Sequence, residues 1–179
     1  MYVENIQKIF YNVSGYIQGG MRMFSVQPIA FVHNERKEIK DDEWGEVRSC
    51  ITLTELYTEE SIQGIEDFSH IEVVFYFHKV TDEQIQYVAR HPRNNNDYPK
   101  VGIFAQRGKN RPNRIGVTIV KVIKRDGKSI IVEGLDAIDG TPILDIKPIM
   151  KEFMPKEEIQ QPKWVTDIMR KYWKGNGVK

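Results

Sequence analysis

The sequence predicts a mainly β fold, a small antiparallel sheet or barrel with peripheral helices, and three observations carry this prediction. Short apolar runs alternate with polar residues, as in strands that bury one face. Asp126-Gly127 lies between two such runs and is a strong hairpin signal. Between the strands only one short segment has a helical pattern, so the regular βαβ alternation of a doubly wound sheet is missing.

Six segments have the composition of strands. The segment from His70 to His78 is the clearest, because Ile71, Val73, Phe75 and Phe77 form one apolar face. The runs before and after the Asp126-Gly127 turn are expected to pair as neighbours in a hairpin. The predicted strands are 29–32, 47–53, 70–78, 115–123 and 129–135, and 143–146 is predicted to be a last strand or a turn.

Three segments are predicted to be helical. Apolar residues recur at helical spacing between Ile6 and Val13, and glycines then end that helix. A capping box at Thr81–Gln84 begins a second helix, expected to continue through Val88 and to stop before His91-Pro92. A third is expected over 163–173. We therefore divide the chain into an N-terminal helical extension (1–22), a β-barrel domain (23–150) and a C-terminal helical segment (151–179).

Net charge, cysteine content and the length of the apolar runs limit the partners and the location that the chain can have. The 179 residues carry a formal net charge of +1, so any affinity for nucleic acid must come from local clusters of Lys and Arg. Cys50 is the sole cysteine, which excludes an intramolecular disulfide and predicts a cytoplasmic location. No apolar run approaches the roughly 18–20 residues of a membrane span, so no membrane partner is expected.

Common nucleotide and metal motifs are missing. The sequence has no G-x-G-x-x-G, and Gly102–Asn110 departs from a Walker A loop in its spacing and in its last residue. His70 and His78 would lie about 26 Å apart on one strand, at roughly 3.3 Å per residue, so one ion could not bind both. No metal site is predicted.

Two loops carry the densest functional signal. Four cationic residues fall between 107 and 114, separated by Gly, Pro and Asn, and guanidinium groups in such a loop can bind carboxylate or phosphate. Three aspartates, Asp136, Asp139 and Asp145, lie between glycines and prolines. On composition alone, the first loop could equally be a solvent-exposed charged turn, and the second could be simple turn chemistry.

Four ordered blocks together resemble the TsaA-like, or TrmO, family of S-adenosylmethionine-dependent tRNA methyltransferases. With Pro28-Ile29 and the strand after His70, the resemblance spans about residues 26–150. The blocks are Gly64–His70, Val101–Ala105, Arg111-Pro112-Asn113 with Ile115-Gly116, and Asp139-Gly140-Thr141-Pro142 with Leu144–Pro148.

The resemblance implies a non-Rossmann β-barrel methyltransferase that acts as a homodimer. Its implied target is the exocyclic nitrogen of the modified adenosine just 3′ of the anticodon in certain tRNAs. The sequence departs from the family at Arg114, where Pro is common, at Ile149, where an aromatic residue is common, and at Gln106-Arg107-Gly108, where Thr-Arg-Ser is usual. These departures bear on the acceptor, because a cofactor pocket and an acceptor surface can diverge separately.

Read with this resemblance, the two loops give a candidate site for S-adenosylmethionine. Arg107 or Arg111 suits its carboxylate, the aspartates suit its hydroxyls and ammonium, and the backbone at Ile138–Thr141 could frame adenine because Gly140 permits close approach. The predicted cofactor residues are His70, Arg107, Arg111, Asp136, Ile138, Asp139, Gly140 and Thr141. The predicted RNA contacts are Arg93, Lys100, Lys109 and Arg114. No catalytic base is assigned.

Two other functions remain open at this point. The chain could be a regulator that binds the cofactor without catalysis, or a methyltransferase for a small molecule or a protein. A homodimer is expected from the resemblance and because both faces of the strand at 115–123 are apolar, which one barrel interior would not require.

Overall fold

The computed structural model describes residues 25–174 of the chain. The predicted helix near the N-terminus lies outside the described residues. Along residues 25–174, no helix has the length and apolar character needed to cross a membrane.

Six strands form a closed barrel in the order β1-β2-β5-β4-β3-β6, and every neighbouring pair is antiparallel. This confirms the predicted mainly β fold. The strand bounds are β1 Ala30–His33, β2 Arg48–Leu53, β3 His70–Tyr76, β4 Ile115–Asp126, β5 Ser129–Glu133 and β6 Pro142–Pro148.

The core fills the barrel with the inward side chains of all six strands. Alternation places Ile71, Val73 and Phe75 of β3 inside, each at most 1% exposed, as its period of two predicts. On β4 the inward position opposite Phe75 is Gly116. A Cβ there would lie 2.5 Å from the Phe75 ring, so glycine makes room for the aromatic side chain.

The β4–β5 hairpin forms where the sequence predicts it, with its turn displaced by one residue. Asp126 pairs with Ser129, so the two loop residues are Gly127 and Lys128, not Asp126 and Gly127. Gly127 has a φ of 56°, in the left-handed region that glycine adopts without strain.

The predicted helix from Thr81 to Val88 was wrong beyond its first turn. The Thr81 N–H does donate to Gln84 Oε1 (3.1 Å), but the structure continues only as a 3₁₀ turn, Asp82–Gln84. The N–H of Gln86 then bonds to the carbonyl of Asn110 (2.9 Å) in a distant loop. Ile85 is buried, at 9% exposed, but Tyr87 and Val88 are 75% and 68% exposed, so the segment buries too little apolar surface to stabilise a helix.

Helical structure elsewhere is short. The α-helix α1, Lys163–Met169, ends earlier than predicted, and turns continue the chain to Trp173. The other 3₁₀ turns are Glu59–Ile62, Ile65–Asp67, Pro92–Asn94, Ile103–Ala105 and Lys151–Phe153.

Candidate functional site

A groove of about 1140 Å³ lies beside the barrel and is the candidate functional site. Six parts of the chain form its walls: the loop 39–44, the ends of β3 and β4 with the residues just after β3, the segment 90–93, the loop 104–113, the turn 136–141 and the C-terminal segment. Its volume slightly exceeds the usual range for small-molecule sites, roughly 300–1,000 Å³.

The groove concentrates positive charge in a chain that is nearly neutral overall. Within the described part of the chain, seven Lys and Arg residues line it, against two aspartates, Asp41 and Asp136. Such a local excess attracts anionic ligands even when the net charge is only +1. The seven are Lys40, Lys79, Arg90, Arg93, Arg107, Lys109 and Arg111.

Arg107 and Arg111 both line this groove, as predicted for a site that binds a carboxylate. Arg107 donates to the carbonyl of Val117, and Arg111 Nη1 donates to the carbonyl of Gln106 (3.2 Å). Neither guanidinium pairs with a carboxylate of residues 25–174. Because a guanidinium has five N–H donors, each retains donors for a ligand.

Two buried polar atoms in the groove wall have no hydrogen-bond partner within the described range. They are Nε of Arg90, a donor, and Oδ1 of Asn110, an acceptor. Buried polar groups are normally satisfied, and leaving one unpaired costs about 1–3 kcal/mol.

Of the three aspartates predicted to accept hydrogen bonds from the cofactor, Asp136 is the one that lines the groove. It is half-buried in the groove wall, where the hydroxyl of Thr118 donates to Oδ1 and the phenol of Tyr172 donates to Oδ2. Burial, followed by the charge of Asp136, raises the pKa of Tyr172 above its usual value, so the phenol stays a donor. A carboxylate has about four lone-pair sites, so Asp136 can still accept from a ligand.

The turn at 138–141 supplies two of its four predicted residues to the groove. Ile138 and Thr141 are 9% and 3% exposed and line the wall. Gly140, with a φ of 77°, donates its N–H to the carbonyl of Val32 (2.8 Å) and lies outside the lining. Asp139 Oδ1 accepts from the N–H of Asn34 (3.2 Å), so its carboxylate points toward β1 and away from the groove.

The structure does not bring His70 to the groove. It begins β3, is exposed, and its Nδ1 contacts the hydroxyl of Ser69 (2.9 Å). The groove instead receives residues from the other end of that strand, including Phe75 and His78. Asp145 also lies outside the lining, where its carboxylate accepts from the N–H of Ile146 (2.9 Å).

Three of the four predicted RNA-binding residues are held by carboxylates of the chain. Arg93 makes a bidentate pair with Asp42 (2.7 and 3.0 Å), and Lys109 lies 3.5 Å from Asp41. Arg114 donates to the Tyr76 hydroxyl (2.8 Å) and pairs with Asp82. Lys100 is exposed, with no ion-pair partner along 25–174. Arg93 and Lys109 line the groove, and Lys100 and Arg114 do not.

Sequence reasoning missed several residues of the groove. His78 lines it, and burial together with the nearby Lys79 lowers its pKa below the usual range. The C-terminal segment adds Trp164, Ile168, Met169 and Tyr172, and its aromatic content was the signal available beforehand.

No cluster of three or more potential metal ligands occurs among residues 25–174.

Comparison with known proteins finds a match that covers the barrel and the part of the groove that precedes the C-terminal segment. A family model described as the tRNA-methyltransferase O N-terminal domain matches residues 31–154. The human tRNA (adenine(37)-N6)-methyltransferase is 39% identical over 118 residues, which are 64% of this chain and 26% of that protein. A probable S-adenosyl-L-methionine-binding protein of Pyrococcus abyssi is 32% identical over 142 residues, 77% of this chain and 74% of that protein.

Solved structures agree with the fold. A crystal structure of TrmO from Pseudomonas aeruginosa has a TM-score of 0.66 and 24% identity, over 82% of this chain and 64% of that chain. A second TrmO structure has a TM-score of 0.63 and 25% identity, over 78% and 64%. The chain thus spans about a quarter of the human relative and just under two thirds of these structures.

Proposed function

Since this chain belongs to the tRNA-methyltransferase O N-terminal domain family, we propose that it binds S-adenosylmethionine in the groove and methylates tRNA. The proposed acceptor is the exocyclic nitrogen of a modified adenosine next to the anticodon. The observation that carries the proposal is the excess of cationic side chains in a groove that also holds one half-buried carboxylate.

The groove's donor and acceptor set fits this cofactor. Arg111 or Arg107 would bind its carboxylate, while Asp136 would accept from hydroxyls or the ammonium. Ile138 and Thr141 would lie against adenine. Asp139 and Gly140 would shape that turn, and a cofactor contact by His70 stays a prediction.

When bound, S-adenosylmethionine supplies a methyl carbon on a positively charged sulfur. The chain has to hold the acceptor nitrogen in line with that carbon and keep water out. The methyl carbon would be transferred to the acceptor nitrogen with the sulfur as leaving group, and the chain would have to accept the proton that the nitrogen then loses. His78 lines the groove with a lowered pKa, so at neutral pH it offers an uncharged nitrogen that can take the proton.

An RNA acceptor is supported by charge and by the relatives. The groove's lysines and arginines would contact phosphates near the reacting base. The human and mouse relatives, 39% and 41% identical to parts of this chain, are named as tRNA (adenine(37)-N6)-methyltransferases. Arg93, Lys100, Lys109 and Arg114 stay the proposed RNA contacts, although all but Lys100 already pair with carboxylates of the chain, so RNA phosphates would compete with those carboxylates. A cytoplasmic location is part of the same proposal.

A homodimer is supported by the outer face of β4. Ile123 is 38% exposed on this face outside the groove lining, and Ile115 and Ile119, 39% and 44% exposed, border the groove, so a second copy packed here would adjoin the site. Sedimentation should give twice the chain mass at micromolar concentration. A monomer at that concentration would count against the dimer and leave the methyltransferase proposal standing.

The experiment that tests the function follows the labelled methyl group. The full chain is incubated with methyl-labelled S-adenosylmethionine and, separately, with total RNA, protein extract and small metabolites. The proposal expects label in the tRNA fraction. Label only in protein or metabolites would replace the acceptor, and cofactor binding without transfer to any fraction would support a regulator.

A further inference from the structure

We propose that the C-terminal strap, residues Lys163–Lys174, is a wall of the cofactor groove, and that Tyr172 is a positioning residue for Asp136. This inference rests on the proposed function. The family match ends at residue 154, so the strap lies beyond the part of the chain that matches the family model.

The strap presents one side to the groove and the other to solvent. Trp164, Ile168, Met169 and Tyr172 line the groove and are half-buried, whereas Lys163 and Arg170 are exposed. The half-buried side is an apolar and aromatic surface that lines the same groove as Ile138 and Thr141. Such a surface is suited to the flat face of a nucleobase.

Backbone contacts attach the strap to the loop 41–45. The N–H of Glu43 donates to the carbonyl of Lys171 (3.1 Å), and the N–H of Trp44 donates to the carbonyl of Tyr172 (2.8 Å). Trp44 is itself buried, at 3% exposed, so the attachment point is part of the packed body.

The strap can attach here because residue 45 is a glycine, which leaves room for the backbone of Trp173. A Cβ at position 45 would overlap the carbonyl oxygen of Trp173 and lie 2.9 Å from its carbonyl carbon. Gly45 has no positive φ, so alanine fits its backbone conformation and would disturb only the docking of the strap. The strap's closeness to the loop therefore depends on the absence of a side chain at this one position.

The Tyr172 phenol is the strap's polar contact with the site. It donates to Oδ2 of Asp136, while the Thr118 hydroxyl donates to Oδ1. Two donors on different oxygens fix the plane of the carboxylate and leave lone pairs on both oxygens for a ligand. Tyr172 would thus set the direction in which Asp136 accepts a bond from the cofactor.

The strap is a wall and not a plug that blocks the site. The groove measures about 1140 Å³ with the strap in place, which is enough for a nucleoside-sized ligand. A segment that occupied the ligand's place would fill this volume, whereas the strap's side chains border it.

The test measures the Kd of S-adenosylmethionine for the full chain by calorimetry in four proteins: wild type, Gly45→Ala, Tyr172→Phe and the control Gly102→Ala. Nothing lies within 4 Å of a Cβ at Gly102, so this control should bind as wild type does. Tyr172→Phe should raise Kd by about tenfold, the size expected when a hydrogen bond to a charged group is lost, and Gly45→Ala, which displaces the strap and Tyr172 with it, should raise Kd at least as much. Trypsin should also cut Gly45→Ala faster than wild type after Arg170 and Lys171.

A double-mutant cycle separates positioning from general loss of structure. In an Asp136→Ala background, Tyr172→Phe should change Kd by less than about twofold, because the carboxylate that Tyr172 orients is missing. Equal effects in both backgrounds would overturn the positioning role. Unchanged or tighter binding by Gly45→Ala, or unchanged trypsin cleavage, would overturn the wall. If wild type itself does not bind S-adenosylmethionine, the proposed function fails instead.

Discussion

The phenol of Tyr172 donates a hydrogen bond to the carboxylate of Asp136 and so joins two distant parts of the chain at one site. Asp136 follows β5 inside the family match, and Tyr172 lies in the strap beyond it. The groove is therefore built by the barrel and by the C-terminal strap together.

The first prediction concerns the cofactor carboxylate. Arg111→Ala should weaken binding of S-adenosylmethionine by roughly 1.5–3 kcal/mol, the loss expected for a hydrogen bond between charged groups. Calorimetry measures it, with Lys128→Ala, at the β4–β5 turn outside the groove lining, as the matched control. If Arg111→Ala binds S-adenosylmethionine as tightly as wild type does, Arg111 does not bind the carboxylate, and Arg107 becomes the candidate for that contact.

The second prediction concerns packing at the barrel wall. Gly116→Ala should lower the free energy of unfolding by about 1–3 kcal/mol, because its Cβ would meet the buried Phe75 ring at 2.5 Å. Urea denaturation measures the change. Gly108→Ala, with nothing within 4 Å of the added Cβ, should unfold close to wild type. Equal stability of the two variants would contradict the close approach of Gly116 to Phe75.

The third prediction concerns pH. Burial, and then the charge of Lys79, lower the pKa of His78 in the folded protein, so the unfolded chain binds its proton more readily. The contribution of neutral His78 to stability is thus present above its unfolded pKa, about 6.5, and is lost as the pH falls below that value. Urea midpoints at pH 7.5 and 5.5 should fall less in His78→Gln than in wild type. A larger fall of the urea midpoint in His78→Gln than in wild type would contradict a lowered pKa of His78 in the folded protein.

The fourth prediction concerns the RNA surface. Lys79→Ala with Lys109→Ala should weaken tRNA binding and flatten its dependence on salt, since each lost phosphate contact reduces the log–log slope by roughly 0.7–0.9. Both residues line the groove, whereas Lys128 does not and serves as the control. Filter binding between low and moderate salt measures the slope. An unchanged slope would place the RNA elsewhere.

Local sequence patterns were sufficient for most of the barrel. Alternation located β3 because its side chains really do divide between core and surface, and Asp126-Gly127 located the hairpin to within one residue. The helix prediction after Thr81 was wrong because the backbone there bonds to Asn110. That residue is distant in sequence, so no local pattern could indicate the contact.

The candidate site was predictable in its chemistry and not in its geometry. The cationic loop and the aspartate-rich turn supplied Arg107, Arg111 and Asp136, all of which line the groove. Which cations are neutralised depends on acidic residues distant in sequence, as Asp42 is from Arg93. The contact between Tyr172 and Asp136 likewise joins residues 36 positions apart, so composition could suggest the aromatic segment but not its place.

The measurement that tests the central claim most directly is nucleoside analysis of tRNA after incubation with the full chain and S-adenosylmethionine carrying a deuterated methyl group. The account predicts the mass increase on the exocyclic nitrogen of a single modified adenosine beside the anticodon, and a reduced yield with Arg111→Ala at subsaturating cofactor. Deuterium on another base, or none in tRNA while the protein demonstrably binds the cofactor, would contradict it.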